Sequence, residues 1–304
     1  MSFNPVLRHD KSRPTMEGAG VRLHRGFGFG DTEQTDPFLL FDDFRGDQTE
    51  DYIAGFPWHP HRGIETVTYV LAGTVEHGDS LGNKGTLGAG SIQWMTAGSG
   101  IIHQEMPKGD EQGRMHGFQL WANLPRELKM ADPRYQDIPG GEVAVRSEDD
   151  GTIIRVLAGE FSGINGPVDG IAAAPRYLDV SVPAGKTKYI KMDIESRAFA
   201  YVFEGEGRFR GASAPQPVPY EVDEGVIAYK PVEVDNRSLV IFDSGDELVA
   251  EAGEAGLRFL LVSGRPIREP VAWYGPIVMN TQAELQQAFK EFQDGSFIKT
   301  RGKT

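Results

Sequence analysis

At 304 residues the chain can form two domains of ordinary size, and its formal net charge of -13 excludes the broad basic footprint that nucleic acid or an anionic membrane demands. A small-molecule substrate or a protein partner fits better. With no cysteine, disulfides and thiolate metal sites are excluded, so any metal must be held by nitrogen and oxygen.

The N-terminus, Met1-Ser2-Phe3-Asn4-Pro5, lacks a charged segment followed by an apolar run, and no stretch approaches the length of a membrane span. The expectation is a soluble, cytoplasmic protein. Residues 1–54 read as short strands broken at Gly18-Ala19-Gly20 and at the glycine-rich stretch 25–31, where a bend or a close backbone approach is expected. Asp36-Pro37 interrupts the chain before an apolar strand at 38–44. Strands follow at 64–71, 92–95 and within 117–125, separated by glycine-rich turns at 75–85 and 88–91. Many short strands at this spacing predict a sandwich or barrel.

Between Pro125 and Gly151 the pattern weakens: 126–131 reads as one or two helical turns and 137–141 as a linker. Two units are expected, residues 1–138 and 148–304. Strands resume at 152–158, 176–182, 188–194 and 198–203. The second half echoes the first, 65–73 resembling 197–205 and 117–121 resembling 257–261, which suggests a duplicated barrel. No histidine occurs after His116, so the copy cannot repeat histidine chemistry. Near the end, Thr281-Gln282-Ala283-Glu284 is a capping box, with Leu285, Ala288, Phe289 and Phe292 at helical spacing behind it; this predicts one amphipathic helix over 282–293, packed on a barrel.

The chemistry concentrates between Gly55 and Pro107. Side chains at i and i+2 of a strand share a face, so His59 and His61 project together, as do His103 and Glu105. Two such pairs brought together would supply three imidazoles and one carboxylate. That donor set suits divalent iron, manganese, nickel or copper. Glu65 shares the strand parity of His59 and His61 and competes for the carboxylate position, or else orients a ligand histidine. His77, in a polar turn, is expected to be exposed. His116 either lines the cavity or is a core histidine, and His9 and His24 carry no local signal. Arg62 reads as a surface ion pair ahead of a role near the ligands. Trp58, Trp94 and Trp121 are expected to fill the barrel, one of them walling an aromatic substrate.

At these residues the chain resembles the pirin family of the cupin superfamily. The resemblance is carried by His59-Pro60-His61-Arg62-Gly63, Glu65-Thr66-Val67-Thr68-Tyr69, Gln93-Trp94-Met95-Thr96-Ala97-Gly98 and His103-Gln104-Glu105-Met106-Pro107. It extends through Gln119-Leu120-Trp121-Ala122-Asn123-Leu124 to Arg268-Glu269-Pro270-Val271 and Gly275-Pro276-Ile277-Val278-Met279-Asn280-Thr281. It implies an all-β bicupin, two antiparallel barrels ending in a helix, with one metal in the N-terminal barrel. The ligands it implies are His59, His61, His103 and Glu105, and the metal Fe(2+), with Mn, Ni, Cu, Co or Zn as alternatives. Some members of the family cleave the flavonol quercetin with dioxygen; others act as metal-dependent regulatory proteins that bind a transcription factor or a metabolic enzyme. On this reading Glu105 is also the catalytic base, the substrate is a small molecule such as a flavonol, and a protein partner is the rival expectation. The sequence departs most from the family in the C-terminal barrel, where 211–219 reads as a loop of its own, a departure that bears on a partner-binding role more than on the metal site.

Overall fold

The computed structural model describes residues 3–168, 170–210 and 231–299, so the loop expected at 211–219 lies outside the described residues. The architecture is two antiparallel β-barrels followed by a helix. One barrel pairs a seven-stranded sheet, in the order Arg134–Ile138, Ile92–Thr96, Ile64–Ala72, His116–Asn123, Phe38–Asp43, Val21–Phe27, Arg13–Glu17, with a four-stranded sheet of Phe56–His61, Ile101–Lys108, Thr74–Asp79 and Lys84–Leu87. The other is built on a nine-stranded sheet centred on the long strands Arg197–Arg210 and Glu247–Gly264.

The period-2 alternation of the seven-stranded sheet divides its two faces between two jobs. Phe41, Tyr69, Phe118 and Leu120 point at the second barrel and pack with Phe199, Tyr201, Leu260 and Val262 in one buried cluster. Phe41 sits edge-on to Phe199, with ring centroids 5.5 Å apart. Their neighbours Leu40, Asp42, Thr68, Gln119 and Trp121 point the other way and line a cavity inside the first barrel. The contact between barrels also holds a satisfied polar group: Tyr69 Oη donates to Asp179 at 2.8 Å, and Arg258 binds the same carboxylate through two nitrogens.

The internal echo read from the sequence is an echo of position. The strand Ile64–Ala72 pairs with His116–Asn123 as Arg197–Arg210 pairs with Glu247–Gly264. Gly73 and Gly205, which close the two matching segments, have φ of 75° and 74°. A Cβ at Gly73 would lie 2.6 Å from the Lys108 carbonyl, and one at Gly205 would lie 2.2 Å from that of Gly256. Both bends require glycine.

The chain passes between barrels after Ile138 and before Ala144, and it crosses back at both ends. Val6–Lys11 pairs with Ser238–Phe242 in the sheet of the second barrel. Conversely, the hairpin of Ala272–Tyr274 and Ile277–Met279 and the helix Gln282–Gln293 pack around Ile102 of the first. The helix begins as its sequence dictates: Thr281 Oγ1 accepts from Glu284 N at 3.2 Å while Glu284 accepts from Thr281 N at 2.8 Å. Leu285 and Ala288 are its buried face.

Arg62 fastens this returning segment, which corrects the expectation of a surface ion pair. It is only 2% exposed; Nε donates to Ser99 O, Nη1 to Glu291 and Nη2 to Phe297 O, and the guanidinium lies 4.2 Å from the centre of the Phe297 ring. Lys129 does similar work, with its buried Nζ donating to Gly63 O, Asn123 Oδ1 and Val278 O. The stretch expected as one or two helical turns is a single 3-10 turn, Arg126–Leu128, leading into that lysine. Among the described residues no helix is long and apolar enough to cross a membrane.

Candidate metal centre

Two antiparallel strands of the four-stranded sheet, Phe56–His61 and Ile101–Lys108, assemble the histidines. His59 stands directly opposite His103, and His61 opposite Ile101. Cross-strand partners share a face, as do residues i and i+2, so all three imidazoles converge. Their facing ring nitrogens lie within 4.8 Å of one another. Pro57 and Pro60 are tolerated because Phe56–His61 is an edge strand, where a missing N–H breaks no central ladder.

The hydrogen bonds fix the tautomers of two rings. His59 Nδ1 is 2.9 Å from Pro57 O, and His61 Nδ1 is 3.1 Å from Pro276 O. A carbonyl only accepts, so both Nδ1 atoms carry the proton, which makes Nε2 the nitrogen that each ring can offer to a metal. Those two Nε2 atoms face each other at 3.0 Å. Two ring nitrogens at that distance need a proton or a metal cation between them. His103 is wholly buried and neither of its ring nitrogens has a hydrogen-bond partner, a rare and costly state for a polar group. Burial, reinforced by the neighbouring imidazoles, pushes His61 and His103 well below the usual histidine range. Both are therefore neutral, the form that binds a metal. The three side chains fit a divalent cation held by imidazole nitrogen.

His59 and His61 open on a cavity of about 670 Å³ walled by Phe44, Phe56, Trp121 and Trp273, with Glu105 and Thr68 on its polar side. Glu105 is buried beside the histidines but is not one of the three residues whose ligand atoms converge. A register shift between His103 and Glu105 separates their partners on the edge strand. Its Oε1 accepts from Thr68 Oγ1 at 2.8 Å, and Oε2 lies 3.5 Å from Gln119 Nε2. Glu65 faces the other side of its sheet, where it accepts from Thr96 Oγ1 at 2.8 Å. The parity argument failed there because Gly63, with φ of 77°, turns the chain out of one sheet and into another between His61 and Glu65.

Other expectations are corrected. His77 is buried on the strand Thr74–Asp79, stacked on Tyr135 and 5.4 Å from the His103 ring; strand pairing continues through what reads as a polar turn. Trp58 is 56% exposed, whereas Trp94 is a core residue and Trp121 stands edge-on to His61 with centroids 4.9 Å apart. His116 packs against Phe118 and Phe203, outside the cavity lining. Sequence reasoning missed Trp273 and the Pro276 carbonyl, which reach the site from the far end of the chain. Pro276 lies within the segment 275–281 that carries part of the family resemblance, but its placement next to His61 is a tertiary matter, and Trp273 lies outside that segment.

A family model described as Pirin matches residues 20–122, and one described as the Pirin C-terminal cupin domain matches residues 177–298. A pirin-like protein of Caulobacter vibrioides is 44% identical over 298 residues, covering 98% of this chain and 100% of that protein. A Pseudomonas aeruginosa protein named as a candidate quercetin 2,3-dioxygenase is 40% identical over 297 residues, 96% of this chain and 98% of its own. The crystal structure of a quercetin 2,3-dioxygenase from Acinetobacter baumannii superposes with a TM-score of 0.82 at 29% identity, covering 97% of this chain and 99% of that one. A bacterial pirin from Escherichia coli, solved in complex with nickel(II), shares the fold with a TM-score of 0.62 at 20% identity, over 85% of this chain and 98% of that one.

Proposed function

The chain belongs to the pirin family, and from that premise we propose that it is a metal-dependent, ring-cleaving dioxygenase of the quercetin 2,3-dioxygenase type, acting on a flavonol-like small molecule. The observation that carries the reading is the pair of facing Nε2 atoms on His59 and His61, 3.0 Å apart at the end of an aromatic-walled cavity, backed by a buried, unpartnered His103. The name carried by the Pseudomonas relative supports the reaction class. His59, His61 and His103 hold the metal, with Glu105 as fourth ligand; Fe(2+) is the ion we assign first, ahead of Mn, Ni, Cu, Co and Zn. When bound, that ion supplies a Lewis-acidic seat for a substrate oxyanion and the redox partner that dioxygen chemistry requires.

The protein's own part follows from the geometry. Thr68 Oγ1 pins Glu105 Oε1, and Oε2, held only by a long 3.5 Å contact from Gln119 Nε2, takes the proton of the substrate's enolic hydroxyl. Trp121 and Trp273, with centroids 6.1 Å apart, offer faces and edges to a planar ligand. Phe44 and Phe56 keep the wall apolar and exclude water from the ionised substrate. The test is anaerobic reconstitution with ferrous iron followed by admission of dioxygen, with quercetin consumption and carbon monoxide release followed together. Oxygen-dependent turnover above a His61→Ala control is expected. No turnover, together with retrieval of a stable protein partner, would favour the regulatory reading.

A further inference from the structure

Thr68, Gln119, Asp42 and Arg25 stand directly opposite one another on four neighbouring strands: Thr68 pairs with Gln119, Gln119 with Asp42, and Asp42 with Arg25. Paired residues share a face, and all four line the cavity. At one end of this polar row Thr68 donates to Glu105. At the other, Arg25 Nε and Nη2 donate to the two oxygens of Asp42 at 2.8 and 2.7 Å, while Nη1 lies 2.9 Å from Glu17. Asp42 is buried, whereas Arg25 and Glu17 are 26% and 42% exposed at the side chain. Of the five N–H groups of the guanidinium, two are left without a partner among the described residues.

The charges on this wall select a ligand type. Glu17, Asp42 and Glu105 against Arg25 sum to two net negative charges, which a divalent cation at the histidine triad neutralises. A ligand bringing a further carboxylate is disfavoured there. A phenolic hydroxyl suits the same wall, because it can accept from a free Arg25 N–H and give its own proton to Glu17 or Asp42. The row from Thr68 to Arg25 crosses three inter-strand spacings, about 14 Å of backbone, shortened by the reach of the Arg25 and Glu105 side chains. Linked rings bridge such a gap and a single ring does not.

We propose that Arg25 and Asp42, with Glu17, form a specificity subsite that binds the hydroxyls on the pendant ring of a flavonol whose enolic edge faces Glu105. This rests on the flavonol reading above. Two ligands test it under anaerobic conditions with metal-loaded protein: a flavonol with a dihydroxylated pendant ring, and the same flavonol with that ring unsubstituted. The wild type is expected to bind the hydroxylated ligand about 10- to 100-fold more tightly. The double variant Arg25→Met/Asp42→Leu, which buries no lone charge, should lose that preference while keeping its metal and its affinity for the unsubstituted ligand. A preference that survives the double variant, equal affinities in the wild type, or equal loss for both ligands overturns the subsite. Preference with no turnover would overturn ring cleavage and leave the subsite standing; binding of neither ligand would overturn both.

Discussion

His61 and Pro276 are 215 residues apart in the chain, yet the Nδ1 of one lies 3.1 Å from the carbonyl of the other. The hairpin of Ala272–Tyr274 and Ile277–Met279, late in the chain, thus sets the tautomer of a histidine in the first barrel. Carbonyl partners of this kind orient a ligand imidazole, and their loss typically weakens metal binding 10- to 100-fold. Gly275 holds the turn with φ of 54°, a conformation that a β-branched residue adopts only with strain. Gly275→Val is therefore expected to weaken metal affinity about tenfold, measured by competition with a chromogenic chelator. Unchanged affinity would show that the hairpin does not position His61.

Arg62 joins the same returning segment to the barrel. Arg62→Met leaves the Ser99 and Phe297 carbonyls and the Glu291 carboxylate short of a donor, and a cost of about 3 kcal/mol in denaturant unfolding is expected. Against partial burial, hydrogen bonds from Gln287, Lys299 and Arg62 hold Glu291 down at about 2. A lowered carboxyl pKa gives stability that is present above the unfolded value of about 4.5 and lost as pH falls toward 2. The variant should flatten the stability profile across that window; an unaltered profile would contradict the clamp.

Glu65 makes the opposite case. Burial pushes its carboxyl up to about 7, so the native state binds more protons than the unfolded chain between about 4.5 and 7, and stability falls as pH rises through that range. Glu65→Gln should remove the fall, at most on the order of 3 kcal/mol, and leave metal content intact because the side chain faces away from the triad. Metal lost in Glu65→Gln but kept in Glu105→Gln would reverse the assignment of the carboxylate.

The short strands, the helix and the shared projection of His59 and His61 were legible because each follows from short-range rules: alternation, turn glycines, the Thr281 capping box and i, i+2 projection; the approach of His103 to that pair came only from the family resemblance. What was not legible depends on how sheets are stacked. Glu65 and His61 look alike in parity, and only the turn at Gly63 separates their faces. Arg62 looks like a surface charge until the segment 291–297 folds over it. His77 sits in a glycine-rich, polar stretch, and its burial comes from pairing with the strand of Glu105, which local composition does not encode. The Trp273 and Pro276 contributions cross the whole chain and leave no local pattern.

The proposed centre is one divalent ion held by His59, His61 and His103 together. Elemental analysis after anaerobic ferrous loading and gel filtration tests it directly, on the wild type and on His59→Ala, His61→Ala and His103→Ala. About one metal per chain is expected in the wild type and less than about a tenth of that in each variant, since no two imidazoles alone make the site. Full metal content in the three variants, or none in the wild type, would contradict it.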